Sequence, residues 1–143
     1  MTVKAILSDK GGEVVSIEPT ASLAAATKLL ARHRIGSLVV LGAGGRLAGI
    51  LSERDIVRAV GEGGATALDQ PVGQIMTRTV VTCAPDESVE SLMERMTAGK
   101  FRHMPVLDHN KLVGLVSIGD VVKDRLAAMK HETEAMRDYI QSA

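Results

Sequence analysis

Aromatic residues are nearly absent from this sequence, which contains one phenylalanine, one tyrosine and no tryptophan among 143 residues. Proteins that bind single-stranded nucleic acid commonly stack bases on aromatic side chains, so this mode of recognition is nearly excluded. Lysine plus arginine and aspartate plus glutamate each number 17, which leaves no basic excess to bind a phosphate backbone. We therefore expect no nucleic-acid partner and an aliphatic, methionine-containing core.

Cysteine and long apolar runs are also scarce. Cys83 is the single cysteine, so no disulfide forms within the chain, and no neighbouring base would activate this thiol as a nucleophile. No apolar run approaches the roughly 20 residues that span a bilayer. The first ten residues do not form a signal peptide, and the histidines show no metal-ligand spacing. These absences predict a cytoplasmic protein without membrane association and without a metal site.

The chain contains an internal repeat. Residues 14–19 lie 66 positions before the similar residues 80–85, and an offset of 65 pairs Asp55 with Asp120. Because such self-similarity indicates repeated supersecondary units, it predicts two copies of one unit rather than two unrelated domains.

The repeat also defines the domain organisation. Upstream of the first similarity, Val3 pairs with Val72 at an offset of 69. The sequence therefore predicts one copy over residues 3–62, a second over 72–126 and a C-terminal helical extension over 127–143.

Each copy shows the same succession of patterns. A short apolar run ends at a proline, a serine then begins a helical pattern, two further apolar runs follow, and a second helix begins at another serine. The predicted strands are 14–17, 37–41 and 47–51 in copy one, and 80–83, 104–107 and 112–116 in copy two. The order β-α-β-β-α predicts an α/β (α+β) fold, in which the two copies pack with pseudo-two-fold symmetry and form paired clefts.

One motif stands at the strand-to-helix junction of each copy. Residues 49–55 and 114–120 share a glycine, two aliphatic residues, a serine, two variable residues and an aspartate. Such a serine and acid can cap the helix, which is a purely structural role. The same geometry suits a nucleotide, because a free helix N-terminus attracts phosphate and a carboxylate can accept from ribose hydroxyls. The two interpretations are compatible.

At this point the sequence resembles a known family. The tandem unit with its duplicated motif is similar to a pair of cystathionine-β-synthase (CBS) domains, also called a Bateman module. Residues 101–106 (Phe-Arg-His-Met-Pro-Val) resemble the family's aromatic-Arg-His-aliphatic-Pro-Val signature, and residues 72–77 resemble its leading segment. The resemblance covers residues 3–126 and, since no other domain is apparent, implies a free-standing module.

The resemblance implies adenine-nucleotide ligands, such as AMP, ADP, ATP or NAD(H), bound in the clefts between the copies. It implies that the motif aspartates, Asp55 and Asp120, hold ribose hydroxyls, and that the serines Ser52 and Ser117 contact ribose or phosphate. The residues implied to surround the adenine are Ser16, Ile35, Gly36, Ser37 and Leu38 in copy one, and Thr82, Arg102, His103, Met104 and Pro105 in copy two.

The two copies differ where phosphates would bind. Arg54 precedes the first motif aspartate, whereas Gly119 precedes the second. Arg54 is either a phosphate ligand or a solvated helix residue, and His103 is either a phosphate donor or a structural histidine. If both clefts bind ligand, we expect them to be inequivalent.

The C-terminal extension carries an apolar seam at spacings of 4, 3, 4, 3 and 4, formed by Val122, Leu126, Met129, Thr133, Met136 and Ile140. CBS pairs commonly associate into disc-like dimers, so the seam favours a homodimer.

Taken with the resemblance, these patterns favour a regulatory sensor rather than an enzyme. No nucleophile–base pair, carboxylate cluster or phosphate-binding P-loop is present in the sequence. A bound nucleotide would favour one arrangement of the module, which an unidentified protein partner would read. The alternatives are a nucleotide-processing enzyme that uses Asp55 or Asp120, and a ligand-free dimerisation scaffold.

Overall fold

The computed structural model of the protein describes residues 1–142, and its elements follow the repeat. Those of copy one are α1 (Val3–Lys10), β1 (Ser16–Ile17), α2 (Leu23–His33), β2 (Ser37–Leu41), β3 (Leu47–Ser52) and α3 (Glu53–Gly63). Those of copy two are α4 (Val72–Ile75), α5 (Val89–Gly99), β4 (His103–Asp108), β5 (Lys111–Ser117) and α6 (Ile118–Ser142). None of the described helices combines the length and apolar character that crossing a membrane requires.

Each copy contains a small sheet built around an antiparallel hairpin. In copy one, β1 runs parallel to β2, which pairs with β3 in antiparallel register. In copy two, β4 and β5 form the equivalent hairpin. The α+β class and the duplicated hairpins predicted from the sequence are confirmed.

The first strand of each copy is shorter than predicted. The strand predicted at 80–83 is reduced to one parallel bridge between Cys83 and Val106, and the strand predicted at 14–17 begins only at Ser16. In copy one the Val39 N–H donates to the Val15 carbonyl at 3.3 Å, but the equivalent residue of copy two is Pro105, which has no N–H. Pro105 therefore cannot donate the hydrogen bond that would extend this strand upstream of Cys83.

Serine caps begin the first long helix of each copy, as predicted. The Ser22 hydroxyl accepts from the Ala25 N–H, and the Ser88 hydroxyl accepts from the Ser91 N–H, both at 3.1 Å. These bonds satisfy N–H groups that have no partner within the helix. The buried side of each helix is aliphatic, formed by Leu23, Ala26 and Leu30 in α2 and by Val89, Leu92 and Met96 in α5.

The leading helix of each copy completes the hydrophobic core of the other copy. Val3 and Ile6 of α1 are buried in the cluster formed by copy two. Val72 of α4 and the adjacent Met76 are buried in the cluster formed by copy one. The two copies are thus interlocked by an exchange of their leading helices.

Main-chain hydrogen bonds hold this exchange in the same way in both halves. The N–H groups at the start of each leading helix donate to carbonyls just before the capping serine of the other copy. They join Val3 to Glu87 (3.0 Å), Lys4 to Pro85 (2.9 Å), Val72 to Ala21 (2.8 Å) and Gly73 to Pro19 (2.9 Å). Because donors and acceptors match at the repeat offsets, these bonds obey the pseudo-two-fold symmetry.

The motif glycines lie where the exchanged segments cross the hairpins. A Cβ atom on Gly49 would stand 2.6 Å from the Thr77 carbonyl oxygen and 2.9 Å from the Met76 sulfur. A Cβ atom on Gly114 would stand 2.5 Å from Leu7. Close approach of the other copy's backbone therefore requires glycine at position 49, whereas at position 114 the neighbour is the flexible Leu7 side chain.

The last helix extends well past the folded pair. Of the residues of α6, only Val121 is fully buried. The seam residues beyond it are exposed, with Leu126 at 59%, Met136 at 64% and Ile140 at 68% of their maximal accessibility. The described residues of the extension predicted at 127–143 are helical, as part of α6, and Ala143 lies outside the described residues.

We predict that Gly49→Ala destabilises the protein, whereas Gly61→Ala does not. The new methyl group at position 49 would meet the Thr77 carbonyl, and overpacking of this kind costs about 1–3 kcal/mol. Gly61 lies on α3, and a methyl group added there would stand in open space. Alanine at this position should therefore stabilise the helix by about 0.5–1 kcal/mol. Urea denaturation of both variants measures the difference, and equal stabilities would contradict the close approach.

Candidate functional site

The two copies of the motif form reciprocal caps at the ends of β3 and β5. The Ser52 N–H donates to Asp55 Oδ2 at 2.9 Å, and the Asp55 N–H donates to Ser52 Oγ at 3.3 Å. The same two bonds join Ser117 and Asp120 at 2.9 and 3.1 Å. The capping interpretation is therefore confirmed in both copies.

Capping of α3 leaves one oxygen of the Asp55 carboxylate available for another hydrogen bond. Asp55 Oδ2 receives both the Ser52 N–H and the Ser52 hydroxyl, the latter at 3.1 Å. Among the described residues, none donates a hydrogen bond to the other carboxylate oxygen, Oδ1. One carboxylate thus fixes the helix start and can still accept from a ligand.

Asp55 lies in a cleft between the two copies. The cleft has a volume of about 400 Å³. Its walls come from the start of α3, the segment that follows α4 and the turn between α5 and β4. The lining residues are Gly36, Ile50, Ser52, Glu53, Arg54, Asp55, Arg58, Thr77, Thr79, Val80, Val81, Lys100, Phe101, Arg102 and His103. Since both copies contribute walls, any ligand held here would contact both.

The cleft carries an excess of positive charge. Arg54, Arg58, Lys100 and Arg102 line it, against the carboxylates of Glu53 and Asp55. The remaining aliphatic wall is formed by Ile50, Val80 and Val81. Clustered cations beside an apolar surface suit a ligand with an anionic end and a flat, weakly polar end.

His103 stands at the first residue of β4, opposite Ser117 of β5. Burial lowers the pKa of this histidine from its ordinary value of 6.5, and the Lys10 ammonium lowers it further. The Asp120 carboxylate, next in effect, opposes the shift without cancelling it. The pKa of His103 therefore depends on charged groups at the second motif, although His103 itself lines the cleft at the first motif.

Asp120, the motif aspartate of copy two, has different hydrogen-bond partners from Asp55. Lys10 Nζ, at the end of α1, lies 2.7 Å from Asp120 Oδ2 and 2.8 Å from the Leu115 carbonyl oxygen. Burial alone would raise the pKa of Asp120, but the hydrogen bonds from Lys10 and Ser117 outweigh it and hold the pKa below its usual value. The second motif aspartate is thus engaged by a cation of its own chain.

The structure brings together some of the residues selected from the sequence and separates others. Six of them line the cleft: Gly36, Ser52, Arg54, Asp55, Arg102 and His103. Ser117 and Asp120 belong to the second motif. The others, which do not line this cleft, are Ser16, Ile35, Ser37, Leu38, Thr82, Met104 and Pro105.

Two of the residues expected to surround the adenine have side chains that do not reach the cleft. Leu38 and Met104 are fully buried, each within the core cluster of its own copy. Alternation along a strand points neighbouring side chains to opposite faces, so both project into the cores rather than toward the cleft.

Several cleft residues were not expected from the sequence. Arg58 follows Arg54 by four residues on α3, a spacing that places both on one helix face. Lys100 ends α5 in a left-handed conformation, with φ of 57°. The i, i+4 spacing could have indicated Arg58, whereas the placement of Lys100 depends on the turn geometry.

We predict that His103 makes stability depend on pH near neutrality. Because its pKa is lower in the folded state, the unfolded chain binds a proton first, and stability falls as pH drops below about 6.5. His103→Gln should therefore flatten the fall between pH 7.5 and 5.5, as measured by urea denaturation. His131→Gln on the exposed part of α6 is the control, and parallel pH profiles for all three proteins would refute the prediction.

Comparison with known proteins assigns this architecture to a family. The CBS domain profile matches residues 3–62 and 72–126. The CBS domain-containing protein CBSX3, mitochondrial, of Arabidopsis thaliana is 37% identical over 120 residues, which are 81% of this chain and 58% of that protein. The chain thus spans less than two thirds of that relative's length.

Solved structures share the fold along most of its length. The CBS-domain containing protein ATU1752 from Agrobacterium tumefaciens superposes with a TM-score of 0.84 at 46% identity, covering 87% of this chain and 92% of its own. The CBS domain pair of protein MJ0100, in complex with 5'-methylthioadenosine and S-adenosyl-L-methionine, gives 0.78 at 29% identity, covering 91% and 98%. The chain therefore belongs to the CBS domain family and carries two such domains as a tandem pair.

Proposed function

We propose that this protein is a regulatory module that binds an adenine nucleotide in the cleft at Asp55. The observation that carries the proposal is the free carboxylate oxygen of a motif aspartate, in a cleft of about 400 Å³ lined by both domains. The related pair that holds adenosine ligands supports the ligand class. An oxygen acceptor at the end of β3 suits the two hydroxyls of a ribose.

The charge of the cleft favours a ligand that bears phosphates. Arg54 and Arg58 lie on one face of α3, and Arg102 approaches from the other domain. Guanidinium groups bind phosphate oxygens in bidentate fashion. This arrangement favours AMP, ADP, ATP or NAD(H) over S-adenosylmethionine, whose sulfonium carries a positive charge.

The base would lie against the apolar wall of the cleft. Val80 and Val81 of the interdomain segment and Ile50 of β3 provide an aliphatic surface. Phe101, the single phenylalanine, adds an aromatic one. Main-chain groups of the same segments would supply the hydrogen bonds that distinguish adenine from other bases.

We propose binding without turnover. Cys83 is buried, and burial, reinforced by Glu87, raises the pKa of its thiol to about 12, so the thiolate needed for nucleophilic attack is not formed near neutrality. A nucleotide that touches both domains would stabilise one relative arrangement, and a protein partner would read that arrangement. A nucleotide-processing enzyme and a ligand-free scaffold are the competing functions, and a cytoplasmic location remains a prediction.

We predict that titration calorimetry detects ATP binding that weakens as salt is added, with S-adenosylmethionine binding more weakly. Asp55→Ala should lose about 1–3 kcal/mol of binding free energy, because the ribose hydroxyls lose their acceptor. Asp69→Ala, which removes an exposed acid in the segment between the two domains, should bind as the unmodified protein does.

Other outcomes separate the competing functions. If the aspartate serves only as a cap, Asp55→Ala lowers thermal stability by about 1 kcal/mol and leaves affinity unchanged. ATP recovered after incubation should be intact. Hydrolysis that purifies with the protein and is lost in Asp55→Ala would establish the enzyme instead.

We further propose that the exposed seam of α6 pairs with the same seam of a second copy. The outer half of the helix leaves Met129, Met136 and Ile140 more than half exposed, beyond the reach of its own domains. In a two-fold interface the same surface of each copy packs against that surface of the other. The seam of each copy would therefore be covered by the seam of its partner.

We predict that Met129→Glu with Met136→Glu shifts the mass in solution toward the 15.1 kDa of one chain. Buried carboxylates in the seam would face one another without partners. Ala127→Glu with Ala135→Glu adds the same charge on the opposite side of the helix and should leave the dimer intact. Light scattering that gives a monomer for the unmodified protein would contradict the proposal.

A further inference from the structure

The surroundings of the two motifs differ in how one main-chain carbonyl is satisfied. In copy one, the chain leaves α4 and pairs with β3, so the Thr77 N–H donates to the Ile50 carbonyl oxygen at 2.8 Å. Leu115 occupies the equivalent position of β5, and its carbonyl accepts from Lys10 Nζ at 2.8 Å. A side-chain ammonium in copy two thus takes the place of a main-chain N–H in copy one.

This substitution follows from the different lengths of the leading helices. α4 ends at Ile75, whereas α1 continues through Lys10, more than one turn further at the repeat offset. Thr79 is the residue equivalent to Lys10, and it lines the open cleft of copy one. The longer helix therefore carries a cationic side chain to the place where copy one presents an open cleft.

The ammonium also binds one oxygen of the motif carboxylate, whereas Oδ1 of Asp120, like that of Asp55, receives no hydrogen bond from the described residues. Lys10 Nζ is 2.7 Å from Asp120 Oδ2, the same oxygen that accepts from the Ser117 N–H. Both partners are partly shielded, with 36% of the Lys10 side chain and 23% of the Asp120 side chain accessible. Among the described residues, Asp55 has no cation bonded to it, so the two motif aspartates differ in charge balance.

We propose that Lys10 acts as an internal cation that blocks ligand binding at the second motif, so that each chain takes up one nucleotide, at Asp55. The proposal rests on the proposed nucleotide-binding function. The Lys10 ammonium joins Asp120 Oδ2 to the Leu115 carbonyl oxygen, so a ribose that approached this carboxylate as proposed for Asp55 would meet the ammonium beside it. Lys10 thereby determines the number of ligands and distinguishes two motifs whose serine and aspartate are identical.

The test is the stoichiometry of ATP binding to the full chain by titration calorimetry. The unmodified protein should bind one ATP per chain, and Lys10→Met, which keeps the aliphatic stem without the charge, should bind two. Lys4→Met removes the same charge from the same helix at an exposed position and should bind one. Adding Asp120→Ala to Lys10→Met should return the stoichiometry to one.

The outcomes distinguish the two proposals. Two ATP per unmodified chain would overturn the block by Lys10, and this measurement needs no variant. One ATP in both the unmodified protein and Lys10→Met would overturn the block and leave the function at Asp55 standing. No binding by any of the proteins would overturn the proposed function, and this inference with it.

Discussion

The exchange of leading helices is the contact on which the rest of the structure depends. Val3 and Ile6 fill the core of the second domain, while Val72 fills that of the first. Neither domain can bury its hairpin fully without the segment that belongs to the other. The relative position of the domains, and hence the walls of the cleft between them, follows from this mutual completion.

The exchange also explains the form of the motif. Its glycine admits the crossing segment, its serine and aspartate begin the next helix, and its aliphatic residues lie in the strand between. Packing and capping therefore account for most of the motif without any ligand. The part that points to function is narrower: one carboxylate oxygen of Asp55 and the cations gathered around it from both domains.

The sequence was sufficient for features that depend on local periodicity. The duplicated hairpins, the serine caps at Ser22 and Ser88 and the cap at Asp55 were all predictable, because each depends on residues within a few positions of one another. The strand at 80–83 was overpredicted, since the β propensity of a segment does not reveal that the residue paired beside it, Pro105, has no N–H to donate. The repeat offset revealed that two segments are alike, but not which core each one enters.

Contacts between distant residues were the least predictable part of the site. Lys10 and Asp120 are separated by 110 positions, and Lys10 has no distinguishing pattern around it in the sequence. Lys100 reaches the cleft only through a left-handed turn. The buried side chains of Leu38 and Met104 were also hard to predict, because a signature names a segment, while strand alternation decides which of its side chains face the core.

The exchange has an implication for the origin of such pairs. Two separate single-domain chains that swapped leading helices would make the same four hydrogen bonds and bury the same apolar residues. Joining them in tandem turns an encounter between molecules into one within a chain, at a high effective concentration. Once joined, the halves no longer have to be identical. One can keep its pocket while the other acquires a lysine, a divergence that a symmetric ancestor made of two equal chains could not have sustained.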